Sequence, residues 1–386
     1  MLKRDPDCRH WRFARLGVAA AALHAPAACS RPELRVASSS EAPPVQAPLS
    51  TALEARTDGR LTTEDRLGGV LWRFRAGAPM LGAPGIDPKS GRVYVGTAEG
   101  ALHALAADGS FLWSYSLTGP LIGAPLADAR GNVYVATSAR KLYGMRPTGR
   151  LLWNARCPTA PASGLVTGPA DGLSLLGADG AIYGVSRLGG VLWRVPLAGG
   201  ASFGPVALGQ GRVLAGSRAG ELRIIEGAVR SARLQLQGEI RAAVVASQHV
   251  YAVVGSDLVA VELDGTRRWS APGFERVAAA PDGVVASNEG GELLWFSAAG
   301  ERRSRAALPA AASAAFAVGP SANVYVPTEA GSVLVYGASG TLEREVAVAR
   351  AALGDVVLDA PRSRLLVGSG DGTVAALSLT LREGAP

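Results

Sequence analysis

The sequence predicts an all-β chain, an eight-bladed β-propeller of four-stranded blades, and three observations carry that prediction. First, a glycine followed four residues later by tryptophan recurs, in "GGVLWRFRA" at 68, "GSFLWSYSL" at 109, "GRLLWNARC" at 149, "GGVLWRVPL" at 189 and "GTRRWSAPG" at 265. Second, every interval also holds two apolar runs joined by a tight turn. Third, a short stretch of small residues precedes many of these pairs.

The glycine marks extend to the whole array as Gly68, Gly109, Gly149, Gly189, Gly227, Gly265, Gly300 and Gly340, with spacings of 41, 40, 40, 38, 38, 35 and 40 residues. Four residues after them stand Trp72, Trp113, Trp153, Trp193, Ser231, Trp269, Ser304 and Arg344, so three copies lack the ring. Alternation places Phe111, Trp113 and Tyr115 on one face of an outer strand, opposite Leu112 and Ser114. There the rings fill the widening gap between wedge-shaped blades, which assigns Trp72, Trp113, Trp153, Trp193 and Trp269 to interblade packing.

The paired runs are hairpins: "RVYVGTAEGALHAL" from 92, "NVYVATSARKLYGM" from 132 and six further copies down to "RLLVGSGDGTVAAL" from 364. Gly100, Gly180, Gly220, Gly331 and Gly372 supply the left-handed turn backbone that other residues adopt at a cost. Two copies lack that glycine, at Arg140 and near Asp257. The small segments, "GAPGI" at 82, "GAPLA" at 123, "GPVAL" at 204, "AAAPD" at 278 and "AVGPS" at 317, suit an innermost strand, where blades converge on the axis.

Four short strands with their turns take about 35 residues, so a period near 39 is spent on a single four-stranded sheet. The last hairpin is followed only by "SLTLREGAP", whereas an unmatched tryptophan strand stands at the front. The N-terminal strand is therefore expected to complete the C-terminal blade, leaving no open edge at the seam. The unit "VYVGT-x-x-G-x-L-x-A-L-x-x-x-G-x-x-x-W" resembles the PQQ-type propeller repeat, shared by quinoprotein dehydrogenases and BamB-like outer-membrane assembly lipoproteins. The resemblance spans residues 68 to about 380. It implies the fold more than the function, because the repeated residues are the ones that make blades.

The N-terminus, "MLKRDPDCRHWRFARLGVAAAALHAPAACS", has a basic start, an apolar run from Leu16 to Leu23 and small residues before Cys29. That pattern reads as an export signal over 1–28, with an apolar run too short for a membrane anchor. Two processing routes stay open: ordinary cleavage after Ala25-Pro26-Ala27, or lipoprotein processing that leaves Cys29 acylated. Ala27, Ala28 and Cys29 resemble a lipobox, from which Pro26 departs. Residues 29–66, rich in Pro, Ala and Ser, read as a flexible tether, 67–382 as the propeller and 383–386 as a tail. The expected location is the periplasm or outer membrane of a Gram-negative-type bacterium, with membrane contact only through the lipid.

The net charge of +7 includes +3 in the first 15 residues, and no basic run is interleaved with aromatics, so nucleic-acid binding is not expected. Cys157 has no obvious disulfide partner and reads as a small buried hydrophobe. His103 and His249, about 146 residues apart, read as ordinary repeat positions rather than a metal pair. The Asp-Gly pairs at 108, 179, 264 and 371 read as turns. Quinoprotein dehydrogenases of the resembling type carry a catalytic Asp, a Ca²⁺ site and usually a vicinal cysteine pair on long interblade insertions. Short connections, no adjacent cysteines and no cluster of Asp, Glu and Asn argue here against that enzyme, and neither catalysis nor a cofactor is expected.

What remains is binding. The turns "GAVRSAR", "GTRRW", "GERRSR" and "GTLERE" contribute Arg230, Arg233, Arg267, Arg268, Arg302, Arg303, Arg305 and Arg344. Equivalent turns share one face of a ring, so these arginines are expected to gather over four adjacent blades as a candidate surface for an acidic partner. Glu226, Asp264, Glu301, Glu343 and Glu345 are interleaved and favour the alternative of a solvated charged face. The expected function is that of a monomeric exported scaffold binding a protein in the cell envelope. A BamB-like part in outer-membrane β-barrel assembly is the alternative, and a PQQ-dependent dehydrogenase the remote one.

Overall fold

The computed structural model describes residues 69–379, apart from 81, 227–230, 247–248 and 311. The export signal, Cys29, the tether, the C-terminal tail and Arg230 lie outside the described residues. Within them the chain forms eight four-stranded antiparallel sheets. Blade 1 runs outward through Gly85–Ile86, Val93–Gly96, Ala101–Leu105 and Phe111–Ser116, and blades 2 to 7 repeat this order along the chain. Among the described residues no helix is long and apolar enough to cross a membrane.

Blade 8 closes the ring as the strand count requires. Its inner three strands are Val357–Asp359, Arg364–Gly368 and Thr373–Ser378, and its outermost strand is Val70–Arg75. Phe74 lies opposite Val374 and Val70 opposite Leu377. Arg364 is buried and ion-paired to buried Asp359 at 2.8 Å, and it also donates to the carbonyls of Gly91 (2.6 Å) and Ala107 in blade 1. The Trp72 indole donates to the same Ala107 carbonyl at 3.1 Å. Both ends of the propeller chain therefore grip one turn of the first blade.

Small residues on the inner strands reflect close approach of blades: a Cβ at Gly82 would stand 2.7 Å from the Gly123 carbonyl oxygen of blade 2. The second and third strands are almost wholly buried, as Val93–Gly96 and Ala101–Leu105 of blade 1 show. Arg140, in one of the hairpins without the turn glycine, adopts φ +62°. Its guanidinium donates to the carbonyls of Cys157 and Pro158, holding the left-handed turn in place. Cys157 itself is buried in the core, and burial pushes its thiol pKa up.

The outermost strands carry the tryptophan rule in detail. Trp72, Trp113, Trp153 and Trp269 each donate an indole N–H to a turn carbonyl of the next blade, at Ala107, Pro147, Arg187 and Ala298, over 2.6 to 3.1 Å. Trp193 is half-buried over Gly184 of its own blade. Facing each ring across the sheet is a small residue: Ala376, Ala104, Gly144, Gly184 or Ala260. In blade 6 the pair is reversed, with Trp295 opposite Ser304. The Ser304 hydroxyl still donates to the next blade, at the Ala338 carbonyl (3.0 Å).

One register expectation needs correction. Ser231 lies opposite Ile225, as Phe111 lies opposite Leu105, and Ala232 faces Ile224, as Trp113 faces Ala104. The tryptophan position of blade 4 is therefore Ala232. The physical reason is a missing bulge: the other seven outermost strands insert one extra residue before the tryptophan position, and Ser231–Gln235 does not.

Candidate functional site

The arginines singled out in the sequence fall on four consecutive blades, but on the outermost strands instead of a turn face. In "GTRRW" only the leading residues turn, and the strand Arg267–Pro272 begins at the first arginine. Arg302, Arg303 and Arg305 likewise lie on Arg302–Ala307, Arg344 on Leu342–Ala347 and Arg233 on Ser231–Gln235. The surface is thus the outer rim of the ring, from blade 4 to blade 7.

Most of this charge is paired locally. Arg233 meets Glu221 at 2.9 Å, Arg268 meets Glu262 at 3.0 Å and Arg303 meets Asp282 at 3.4 Å. Arg305 binds Glu292 through Nε at 3.0 Å. Hydrogen bonds from Arg305, and then from Asn288, hold the Glu292 carboxyl below its ordinary range. Arg267 donates to the Ser270 hydroxyl, and Arg302 is exposed on the outermost strand of blade 6. Exposed pairs of this kind contribute little to stability, so they act chiefly as a patterned surface.

Arg344 is the exception. It takes the tryptophan position of blade 7, donates to the Ser378 carbonyl at 3.1 Å and packs against Gly69 at the seam with blade 8. A guanidinium here replaces the indole N–H, and the residue belongs to blade packing more than to the open rim.

The bulge residue itself reveals a feature that the sequence reading missed. It points outward, and in blades 8, 1, 2 and 3 it is Leu71, Leu112, Leu152 and Leu192, exposed by 41, 39, 39 and 52%. In blades 5, 6 and 7 the same position holds Arg268, Arg303 and Glu343. The rim is divided into an apolar half and a charged half, and unbulged blade 4 stands between them. The "LW" dipeptide in "GVLW", "SFLW" and "RLLW" carried that signal.

Two shallow concavities lie among the described residues. One of about 540 Å³ in blade 6 is lined by Asp282, Glu301 and Arg303 among others. A second of about 410 Å³, between blades 3 and 4, is lined in part by Asp171, Arg187 and Gln210. Arg187 is committed there to Asp128 at 2.9 Å and Asp171 at 2.7 Å. Among the described residues no three His, Cys, Asp or Glu side chains gather as a metal site. His103 and His249 lie in blades 1 and 5. His103 sits between Phe74 and Phe111, at ring distances of 5.8 and 6.5 Å, and burial lowers its pKa to about 4.

Comparison with known proteins places the chain. The family model described as outer membrane protein assembly factor BamB matches residues 57–176 and 178–280. The chain belongs to this family. No curated protein matches it by sequence. Among solved structures, Saccharomyces cerevisiae Sqt1 superposes with a TM-score of 0.68 at 12% identity, over 81% of this chain and 99% of that one. The computationally designed Ika8 protein superposes with a TM-score of 0.60 at 15% identity, over 78% and 100%. BamB from Moraxella catarrhalis aligns at 18% identity over 81% and 86%, with a TM-score of 0.49. At these identities Sqt1 and Ika8 share the fold and nothing further, so functional weight rests on the family match.

Proposed function

We propose that this chain is a non-catalytic protein-binding scaffold of the cell envelope that acts in the assembly of outer-membrane β-barrel proteins. The observation that carries the reading is membership of a family described by that assembly role, over two segments reaching from residue 57 to 280. Export through the 1–28 signal and anchorage through Cys29 belong to the same proposal. So does the absence of catalysis, a reading supported by the sequence, which has no adjacent cysteines and no cluster of Asp, Glu and Asn breaking the repeat.

The divided rim supports a scaffold by offering two chemically distinct contact zones on one rigid ring. A protein partner covering both would bury leucines against apolar surface and meet arginines with carboxylates, which favours specific orientation. Affinity capture from envelope fractions with the full-length chain tests this. The wild type is expected to retain a subunit of the barrel-assembly machinery. Reversal of Arg267, Arg268, Arg302 and Arg303 to Glu is expected to lower the yield at least several-fold. Equal yields from both chains would remove the charged rim from the reading, and no assembly subunit with the wild type would remove the assembly role.

A further inference from the structure

A propeller exposes one strand edge per blade, and an unprotected edge is a template for pairing with another chain. Seven of the eight outermost strands are protected by the bulge, which breaks the row of free backbone groups. Several carry a second device. Pro196 and Pro272 end the edge strands of blades 3 and 5. The Tyr336 hydroxyl donates to the Ala307 carbonyl of blade 6 at 3.0 Å, and Arg73 donates to the Ala347 carbonyl of blade 7 at 3.1 Å.

Blade 4 has none of these among the described residues. Its edge strand Ser231–Gln235 pairs one-to-one with the third strand, from Glu221 opposite Gln235 to Ile225 opposite Ser231. The Leu236 N–H donates inward to the Gly220 carbonyl at 2.8 Å. Alternation then turns the backbone of Leu234 and Ala232 inward as well, and that of Ser231, Arg233 and Gln235 outward. None of the three is proline, so each presents an N–H and a C=O in a straight row.

The surroundings are positive. Residues 201–235 carry five arginines against two glutamates. Buried Glu221 is shared between Arg223 at 2.5 Å and more than half-exposed Arg233 at 2.9 Å. Arg218 lies next to Ala219, whose carbonyl accepts from the Gln235 side chain at 2.7 Å, and its own carboxylate neighbour, Glu239, is 3.9 Å away. Arg267 and Arg268 follow on the edge strand of blade 5.

We propose that the outer edge of blade 4, Ser231–Gln235, is a strand-addition site for an extended acidic segment of a partner protein. The main-chain row supplies the pairing and the arginines on its flanks select carboxylates. The site rests on the scaffold reading and assigns that scaffold a specific contact.

The test is fluorescence anisotropy of a short labelled peptide of alternating glutamate and valine, titrated with the full-length protein. Gln235→Pro copies the proline that blades 3 and 5 already hold at this register position, where the N–H faces solvent, so the fold is expected to survive. Thermal melting of the variant checks this. The expected result is binding by the wild type that falls about tenfold or more in Gln235→Pro, and likewise for a peptide N-methylated on alternate residues. A lysine-valine peptide is expected not to bind. Equal binding by Gln235→Pro or by the N-methylated peptide, or no binding by the wild type, would overturn the site. Envelope capture of assembly subunits by the wild type separates these failures, because it can persist when the edge proposal falls.

Discussion

At the scale of single residues, the tryptophan rule reduces to one hydrogen bond and one size complementarity. Trp113 is buried against Gly149 of the next blade, where φ is +83° and a Cβ would stand 2.7 Å from the ring. Trp113→Ala is expected to cost about 3–5 kcal/mol in urea unfolding, from lost burial and the cavity left behind. Gly149→Ala should cost upwards of about 1 kcal/mol through its left-handed backbone alone. His103 gives a pH signature. Its folded pKa, about 4, lies below the ordinary value near 6.5. The unfolded chain therefore takes up this proton first as pH falls. Stability from the neutral imidazole is complete above about pH 6.5 and declines toward pH 4, by up to about 3 kcal/mol. Unfolding free energies measured across this range should slope less in His103→Leu; parallel slopes would contradict the assignment. Spacing alone located the tryptophans, whereas the substitutes were hidden. Arg344 replaces an indole donor with a guanidinium, and Trp295 crosses to the opposite strand while Ser304 keeps the bond. Neither exchange preserves the letter that a repeat search reads.

At the scale of elements, the seam is the most exposed point of the design. Val70–Arg75 supplies the last strand of blade 8, and Arg364 with Trp72 fixes it to blade 1. Deleting residues 67 to 75 is expected to abolish cooperative unfolding of the ring; a truncated chain melting like the parent would refute the closure. Arg364→Ala takes from buried Asp359 the nearer of its two arginine partners, leaving Arg362 at 3.3 Å, and removes the donor to the Gly91 carbonyl, so it is expected to cost about 3 kcal/mol in denaturant unfolding. A cost within error of zero would mean that the turn carbonyls find other donors. Strand number, hairpin turns and closure were legible in the sequence because each recurs with the period. The bulges were not, since one extra residue in a strand changes the spacing no more than a loop does, and the same blindness misplaced Ser231 by one position.

At the scale of the whole molecule, eight like blades make the ring and their outer strands are where it varies. The arginine sector was readable as a run of charged segments, but its address on the rim was not, because the boundary between turn and strand falls inside "GTRRW". The leucine half was overlooked for a related reason: a leucine just before Trp72, Trp113, Trp153 and Trp193 looks like core until the bulge turns it outward. Both halves meet at blade 4, so a scaffold should be touched along this arc. The central claim is that a subunit of the outer-membrane barrel-assembly machinery occupies this rim. A photoreactive residue placed in living cells at Leu192, Gln235 or Arg268, followed by mass spectrometry of the adducts, tests it most directly. The account predicts adducts with an assembly subunit at these positions and none at buried Leu102. Rim adducts confined to proteins outside the assembly machinery, or no rim adduct at all, would contradict it.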